Sequence, residues 1–323
     1  MKQITIEDIK KIYIPPKDSH KGQNGKLLII GGSHLFHSAS LWGLKVASRI
    51  VDLVHFSSVL ENNAIVQKLK EEFRDGIVVP RAEVESYIEE DDCVLIGPGM
   101  VRADEKIFNF QFSIFNLENI LKIEDEGAQT YYLTKYLLGK YPKKKWVIDA
   151  GALQMMEPEW TPKDAILTPH RGEFERLINK IRNPNIEIRN NPPAGGQKSK
   201  NNFSEISLED QVKLFAREFN CTVLLKGEKD IVCTGKCEGN VCLPTECRLI
   251  EGGNQGMTKG GTGDVLAGLV AGLYCKNEAF LAAAAASFIN KKAGEDLAKK
   301  MGLWFNASDL ADQIPQTMKE LLL

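Results

Sequence analysis

Gly252-Gly253-Asn254-Gln255-Gly256-Met257-Thr258-Lys259-Gly260-Gly261-Thr262-Gly263-Asp264 runs directly into Val265-Leu266-Ala267-Gly268-Leu269-Val270. Apolar residues at 265, 266, 269, 270 and 273 form the stripe of a helix lying on a sheet, so the spacing predicts a helix that starts in the glycine cluster. A helix N-terminus offers unpaired N–H groups and the positive end of a dipole, and adjacent glycines let a phosphate approach that backbone closely. Gly260, Gly261, Thr262 and Gly263 are therefore expected to form an anion hole. Asp264 conflicts with that reading, because a carboxylate beside an anion site repels the anion unless it moves a proton or handles a metal. The bland alternative is an acid in the first helical turn that complements the dipole. Four glycines around it favour catalysis. The loop is neither a dinucleotide fingerprint nor a Walker A loop, since it lies late in the chain and no Gly-Lys-Ser/Thr follows.

Outward from this loop, short Val/Ile/Leu runs alternate with helical patterns, the signature of an α/β domain with a central, mostly parallel sheet flanked by helices. Strands are expected at residues 26–30, 54–59, 93–96, 146–148, 165–167 and 223–225, with a hairpin pairing 231–233 and 241–243. Several end in small or polar residues: Gly31-Gly32-Ser33, Gly97-Pro98-Gly99, Asp149-Ala150-Gly151, Thr168-Pro169-His170 and Lys226-Gly227. Ligands of open α/β sheets bind at such carboxyl ends, so the site is expected to draw on segments far apart in the chain. Residues 108–145 are expected to form peripheral helices and loops, and the Asn/Pro/Gly-rich 182–204 a solvated loop. Neither resembles an interdomain linker. The 323 residues read as a single domain, 1–323, with loop elaborations.

Composition narrows the partners. Forty-one basic residues nearly cancel forty-three acidic ones, leaving a formal charge of −2, so no global field draws the chain to nucleic acid or an anionic membrane. No segment approaches the roughly 18 apolar residues of a membrane span, and a cytoplasmic protein with a small-molecule partner is expected. Seven cysteines without a signal segment point to reduced thiols. Cys233, Cys237, Cys242 and Cys247 crowd like metal ligands, but their gaps of three, four and four residues do not reproduce a paired zinc pattern, and small apolar residues on short strands are the simpler reading. Cys93 and Cys221 are expected to pack at strand starts.

The late Gly-Gly-Thr-Gly-Asp loop resembles that of the ribokinase-like superfamily. Within it, five segments in order resemble the ADP- or ATP-dependent NAD(P)H-hydrate dehydratases: Leu28-Ile29-Ile30-Gly31-Gly32-Ser33 with Phe36-His37-Ser38-Ala39, Ile96-Gly97-Pro98-Gly99-Met100, Thr168-Pro169-His170-Arg171-Gly172-Glu173-Phe174, Lys226-Gly227-Glu228-Lys229-Asp230, and the loop from Asn254 to Asp264. The resemblance implies a ribokinase-like fold and the repair of NADHX and NADPHX, reduced nicotinamide cofactors hydrated across the ring's 5,6 double bond. Phosphorylating the hydroxyl makes phosphate the leaving group. The resemblance assigns Ala39, Gly99, His170 and Asp264 to the hydrate, with Asp264 as general base. It assigns Lys226, Gly227, Glu228, Lys229, Asp230, Asn254, Gly260, Gly261, Thr262 and Gly263 to the nucleotide. Glu173 could orient Mg2+-bound water or simply cap a helix, and Asp149 could support the same edge.

Two positions depart from the pattern: Ser38 stands where relatives carry Gly, and Gly151 replaces an Asp. The Lys-Gly-Glu-Lys-Asp spelling leans toward ATP-using relatives. Only 25 residues precede the first apolar strand, so the epimerase often fused to this family is expected as a separate protein. A homo-oligomer is also implied. The rivals are a ribokinase-like kinase of a sugar or vitamin-precursor alcohol and a non-catalytic nucleotide-binding regulator. His170, where sugar kinases more often carry Asn, speaks against the first, and the charge of Asp264 against the second.

Overall fold

Leu27, Leu28, Ile29 and Ile30 are all fully buried, which requires protein on both faces of the strand they form. The computed structural model describes residues 1–103, 115–181, 206–238, 241–243 and 245–323, with backbone alone at 237, 238, 241 and 242. In chain order the elements are β1 (Lys2–Gln3), α1 (Ile6–Ile9), β2 (Lys26–Ile30), α2 (Ser38–Ala47), β3 (Leu53–Ser57), α3 (Leu60–Lys68), β4 (Ile77–Val78), α4 (Val84–Glu90) and β5 (Cys93–Ile96). Next come α5 (Leu117–Leu121), α6 (Glu126–Lys140), β6 (Lys145–Ile148), α7 (Ala150–Met155), β7 (Ile166–Leu167), α8 (Arg171–Ile181), α9 (Leu208–Glu218) and β8 (Thr222–Leu225). The chain ends with β9 (Asp230–Thr234), β10 (Cys237–Glu238), β11 (Val241–Cys242), β12 (Glu246–Ile250), α10 (Thr262–Tyr274), α11 (Ala279–Met301) and α12 (Ala307–Leu322).

Ten of the described strands make one sheet in the order β1-β12-β9-β8-β7-β6-β5-β2-β3-β4. All pairs are parallel except β12 with β9 and β9 with β8. Alternation along β2 divides the core into two layers. Leu27 and Ile29 join α2, α10 and α11 on one face, while Leu28 and Ile30 join α6, α8 and α9 on the other. From β2 the chain builds outward through β3 and β4, then returns to β5 and builds the other way. The carboxyl ends of β2 and β5 thus flank a topological switch point, the place where such sheets leave a crevice.

α10 is buried almost all round, because α2 covers the side that the sheet does not. Gly43 and Gly268 let these two helices meet backbone to backbone: a methyl group on Gly268 would lie 2.6 Å from the Gly43 Cα. Among the described residues no helix is long and apolar enough to cross a membrane.

The structure corrects several expectations. The strand expected at 54–59 is Leu53–Ser57. β9 pairs with β12, not with 241–243, which forms part of a small separate ladder of β10 with β11. That register sets Cys233 opposite Cys247, and the two form a disulfide; their thiols are not reduced, because strand pairing holds the Cα atoms 4.2 Å apart. Cys93, Cys221 and Cys275 are free and buried, as packing at strand starts requires of the first two. The stretch 108–145 is not peripheral: Ile120, Leu133, Leu137 and Leu138 are core residues, and α6 covers the sheet. Its first part, 108–114, and the expected loop 182–204 lie outside the described residues. A short strand, β1, precedes residue 26 and pairs with β12.

Candidate active site

α10 begins as its sequence requires. Gly261, at φ 94°, precedes the first turn in a left-handed conformation that a side chain would strain, and the Trp42 ring packs where its Cβ would stand. Thr262 turns its hydroxyl inward to donate to the carbonyls of Met257 (2.7 Å) and Lys259 (2.8 Å), so it shapes the loop. Asn254 does the same: Oδ1 accepts from Gly256 N (2.9 Å) and Nδ2 donates to Gly294 O (2.7 Å). Gly260 borders open space, and a Cβ on Gly263 would meet only the Lys226 Nζ, 3.5 Å away. The mouth of the helix is therefore a set of backbone N–H groups with a lysine over one side.

Asp264 lies on that first turn inside a group of charges. Burial, followed by the neighbouring Asp149 carboxylate, raises its pKa to about 7, with Lys226 pulling it down and Glu173 adding to the rise. The Lys226 Nζ donates to Asp149 Oδ1 (2.8 Å), which also accepts from Thr168 Oγ1 (2.8 Å). Burial works against the Lys226 charge, but Asp149, Glu173 and Asp264 outweigh it and hold its pKa above the usual lysine value. These residues come from the ends of β6, β7 and β8 and the start of α10, so parallel strand order alone brings them together.

His170 and Glu173 form a local brace. His170 Nδ1 accepts from Gly172 N (3.0 Å), while its own backbone N donates to Glu173 Oε2 (2.9 Å). With Nδ1 occupied as an acceptor, the neutral ring carries its proton on Nε2, on a side chain that is 60% exposed. Glu173 is 4% exposed and its other oxygen accepts from Gln154 Nε2 (2.9 Å). Each carboxylate oxygen thus accepts from one protein donor, as a helix cap does, and keeps acceptor capacity for a water. Among the described residues no three His, Cys, Asp or Glu side chains gather as a metal cage. A Mg2+ ion here would be carried chiefly by substrate phosphates, the usual arrangement for that ion.

Of the turn after β8, Gly227, Glu228 and Lys229 are exposed, whereas Asp230 points inward. Asp230 Oδ1 accepts from Gly227 N (2.8 Å) and Oδ2 from Ser287 Oγ (2.7 Å), so the side chain shapes the turn from beneath. Lys229 pairs with Glu251 at the surface. Across the crevice, the Gly31–Gly32 turn and the Gly97–Gly99 turn meet: Gly32 N donates to Pro98 O (2.7 Å), and a Cβ on Gly99 would stand 3.0 Å from that of Ala39. Ala39 and Gly99 are therefore neighbours, and α2 carries Gly43, one turn on, to within contact of the Asp264 backbone.

Residues 27–316 match the family model described as NAD(P)H-hydrate dehydratase. The chain belongs to the NAD(P)H-hydrate dehydratase family. It is 34% identical to the ADP-dependent (S)-NAD(P)H-hydrate dehydratase of Nitrosopumilus maritimus, over 98% of this chain and 97% of that one. It is 31% identical to the bifunctional NAD(P)H-hydrate repair enzyme Nnr of Methanocaldococcus jannaschii, over 97% of this chain but 52% of the relative, about half its length. Its fold is ribokinase-like. It superposes with a TM-score of 0.73 on a ribokinase-like superfamily protein from Enterococcus faecalis, at 20% identity and covering 99% of this chain and 96% of that one. The score is 0.70 for the ADP/ATP-dependent NAD(P)H-hydrate dehydratase of Bacillus subtilis co-crystallised with ATP and Mg2+, at 20% identity over 99% and 98% of the two chains.

Three residues support this dehydratase-family site without being among the expected site residues. Arg81 donates from Nη2 to Gly31 O (3.0 Å) and holds the first turn of the crevice. Thr168 and Gln154 anchor Asp149 and Glu173. Thr168 was reachable as part of Thr-Pro-His; Arg81 and Gln154 sit in ordinary helical surroundings.

Proposed function

We propose that the protein dehydrates (6S)-NADHX and NADPHX to NADH and NADPH, using ADP as phosphoryl donor with Mg2+ on its phosphates. The observation that carries this reading is a half-buried carboxylate, Asp264, poised near neutrality on the turn of α10 that presents its N–H groups. As general base, Asp264 accepts the proton of the hydrate's hydroxyl while that oxygen attacks the terminal phosphorus and the bond to the nucleotide's bridging oxygen breaks. The N–H groups at Gly260 to Gly263 stabilise charge on the transferring phosphoryl. The ring nitrogen's lone pair then expels phosphate with the C–O bonding pair, and loss of the adjacent ring proton restores the 5,6 double bond. Lys226 keeps Asp264 from rising further and faces the same helix mouth. Ala39, Gly99 and His170 line the hydrate side, and Gly227, Glu228, Lys229 and Gly263 the nucleotide side. Asp230, Asn254 and Thr262 act from below by shaping the loops. ADP is preferred over ATP because the relatives matched along nearly their whole length are named ADP-dependent.

A separate epimerase would supply the (6S) isomer, and we place the reaction in the cytoplasm, carried out by a homo-oligomer. The test is regain of reduced-nicotinamide absorbance from NADHX, run with ADP and ATP side by side. Asp264→Asn is expected to lower turnover about 10²–10⁴-fold while nucleotide still binds. Unchanged turnover in that variant removes Asp264 as the base.

A further inference from the structure

Lys291 lies in the middle of α11, far in sequence from every segment above, and its side chain is 8% exposed. Its Nζ donates to Glu228 O (2.9 Å), Gly227 O (3.1 Å) and Gly252 O (3.4 Å), and pairs with Asp230 (3.4 Å). A buried ammonium is costly unless fully paired, and here its partners are backbone carbonyls from two different loops. One loop is the turn after β8. The other leads from β12 into the glycine-rich segment before α10. Asp230 completes the arrangement by accepting from Gly227 N and from Ser287 Oγ, one helical turn before Lys291.

The geometry points to Lys291 as a positioning residue that clamps these two loops in the conformation that receives the nucleotide. In a trans peptide the C=O and N–H point in opposite directions. With the carbonyls of Gly227 and Glu228 drawn inward to Lys291, the N–H groups of Glu228 and Lys229 turn toward the exposed side of the turn. Successive outward N–H groups make an anion-binding concavity. The same ammonium ties Gly252, so the height of the turn is set relative to the loop that ends in Gly260 to Gly263. Lys291 touches no reacting atom in this scheme and acts through the backbone it holds.

This inference rests on the proposal that these loops bind nucleotide, so binding is measured directly as well as through turnover. Lys291→Met leaves Asp230 buried without its partner; the double variant Lys291→Met/Asp230→Asn removes both charges and keeps an amide to accept from Gly227 N. Unfolding curves establish that the double variant is folded. In it, the Kd for ADP by calorimetry and the KM for ADP in the dehydration assay are expected to rise together by about tenfold or more, while the KM for NADHX moves less than about twofold. A folded double variant with wild-type ADP affinity overturns the clamp, as does an equal rise in both KM values, which a general loosening of the fold would give. Wild-type protein that binds ADP but leaves NADHX unchanged refutes the proposed reaction, and the ADP Kd of the variant still decides the clamp.

Discussion

With Asp264 raised to about 7 by burial and by Asp149, the proposed base is half protonated at neutral pH, and turnover is expected to follow its ionisation. The active form is the carboxylate, so kcat/KM is expected to climb with pH and level off above about 7 in the free enzyme. Lys226 lowers that pKa, so Lys226→Met should move the rising limb toward alkaline pH; a pH–rate profile with an unshifted limb would mean that the two charges are not coupled. At this scale Asp264 was legible because a carboxylate among glycines at a helix start conflicts with an anion site. His170 and the Lys226–Asp230 segment were legible as spelling only. That Asp230, Asn254 and Thr262 turn inward and spend their polar atoms on loop backbone is a matter of hydrogen-bond partners that the residue types do not disclose.

Among the elements, the α2–α10 contact is the most exacting. Gly268→Ala would press a methyl group against the Gly43 backbone, which cannot rotate away as a side chain could. It is expected to cost about 1–3 kcal/mol in urea unfolding. Gly139→Ala, on the exposed face of α6 with nothing near its Cβ, should instead stabilise by about 0.5–1 kcal/mol. The β9–β12 pair is held by the Cys233–Cys247 disulfide across a separation of 14 residues. Replacing both cysteines with serine should lower stability by about 3 kcal/mol, read from denaturant midpoints under oxidising conditions. Parallel strands such as β2 and β5 were readable from continuous apolar runs, because burial on both faces leaves no room for polar residues. β12 was not, since its sequence Glu-Cys-Arg-Leu-Ile is half exposed and its pairing depends on which strand lies beside it. α6 reads as peripheral in sequence because its tyrosines and threonines mask a stripe that reaches the core.

Across the whole molecule, the site joins the switch point between β2 and β5 to the ends of β6, β7 and β8 and the start of α10. A nucleotide bound as proposed holds the turn after β8 against the glycine-rich start of α10. ADP at a hundred times its Kd should therefore add about 2.7 kcal/mol to global unfolding stability, measured by thermal melts with and without nucleotide. No such shift would mean that ADP does not bind the folded protein. The α/β class, the strand-end loops, a helix start within the glycine cluster and the candidate base were legible in the residues alone, because local backbone demands and hydrophobic periodicity are written in neighbouring positions. That Lys226 faces Asp149 and Asp264, that Cys233 meets Cys247 and that Lys291 reaches two loops came from the folded arrangement. Those contacts depend on strand order and register, which arise from packing between residues far apart in the chain.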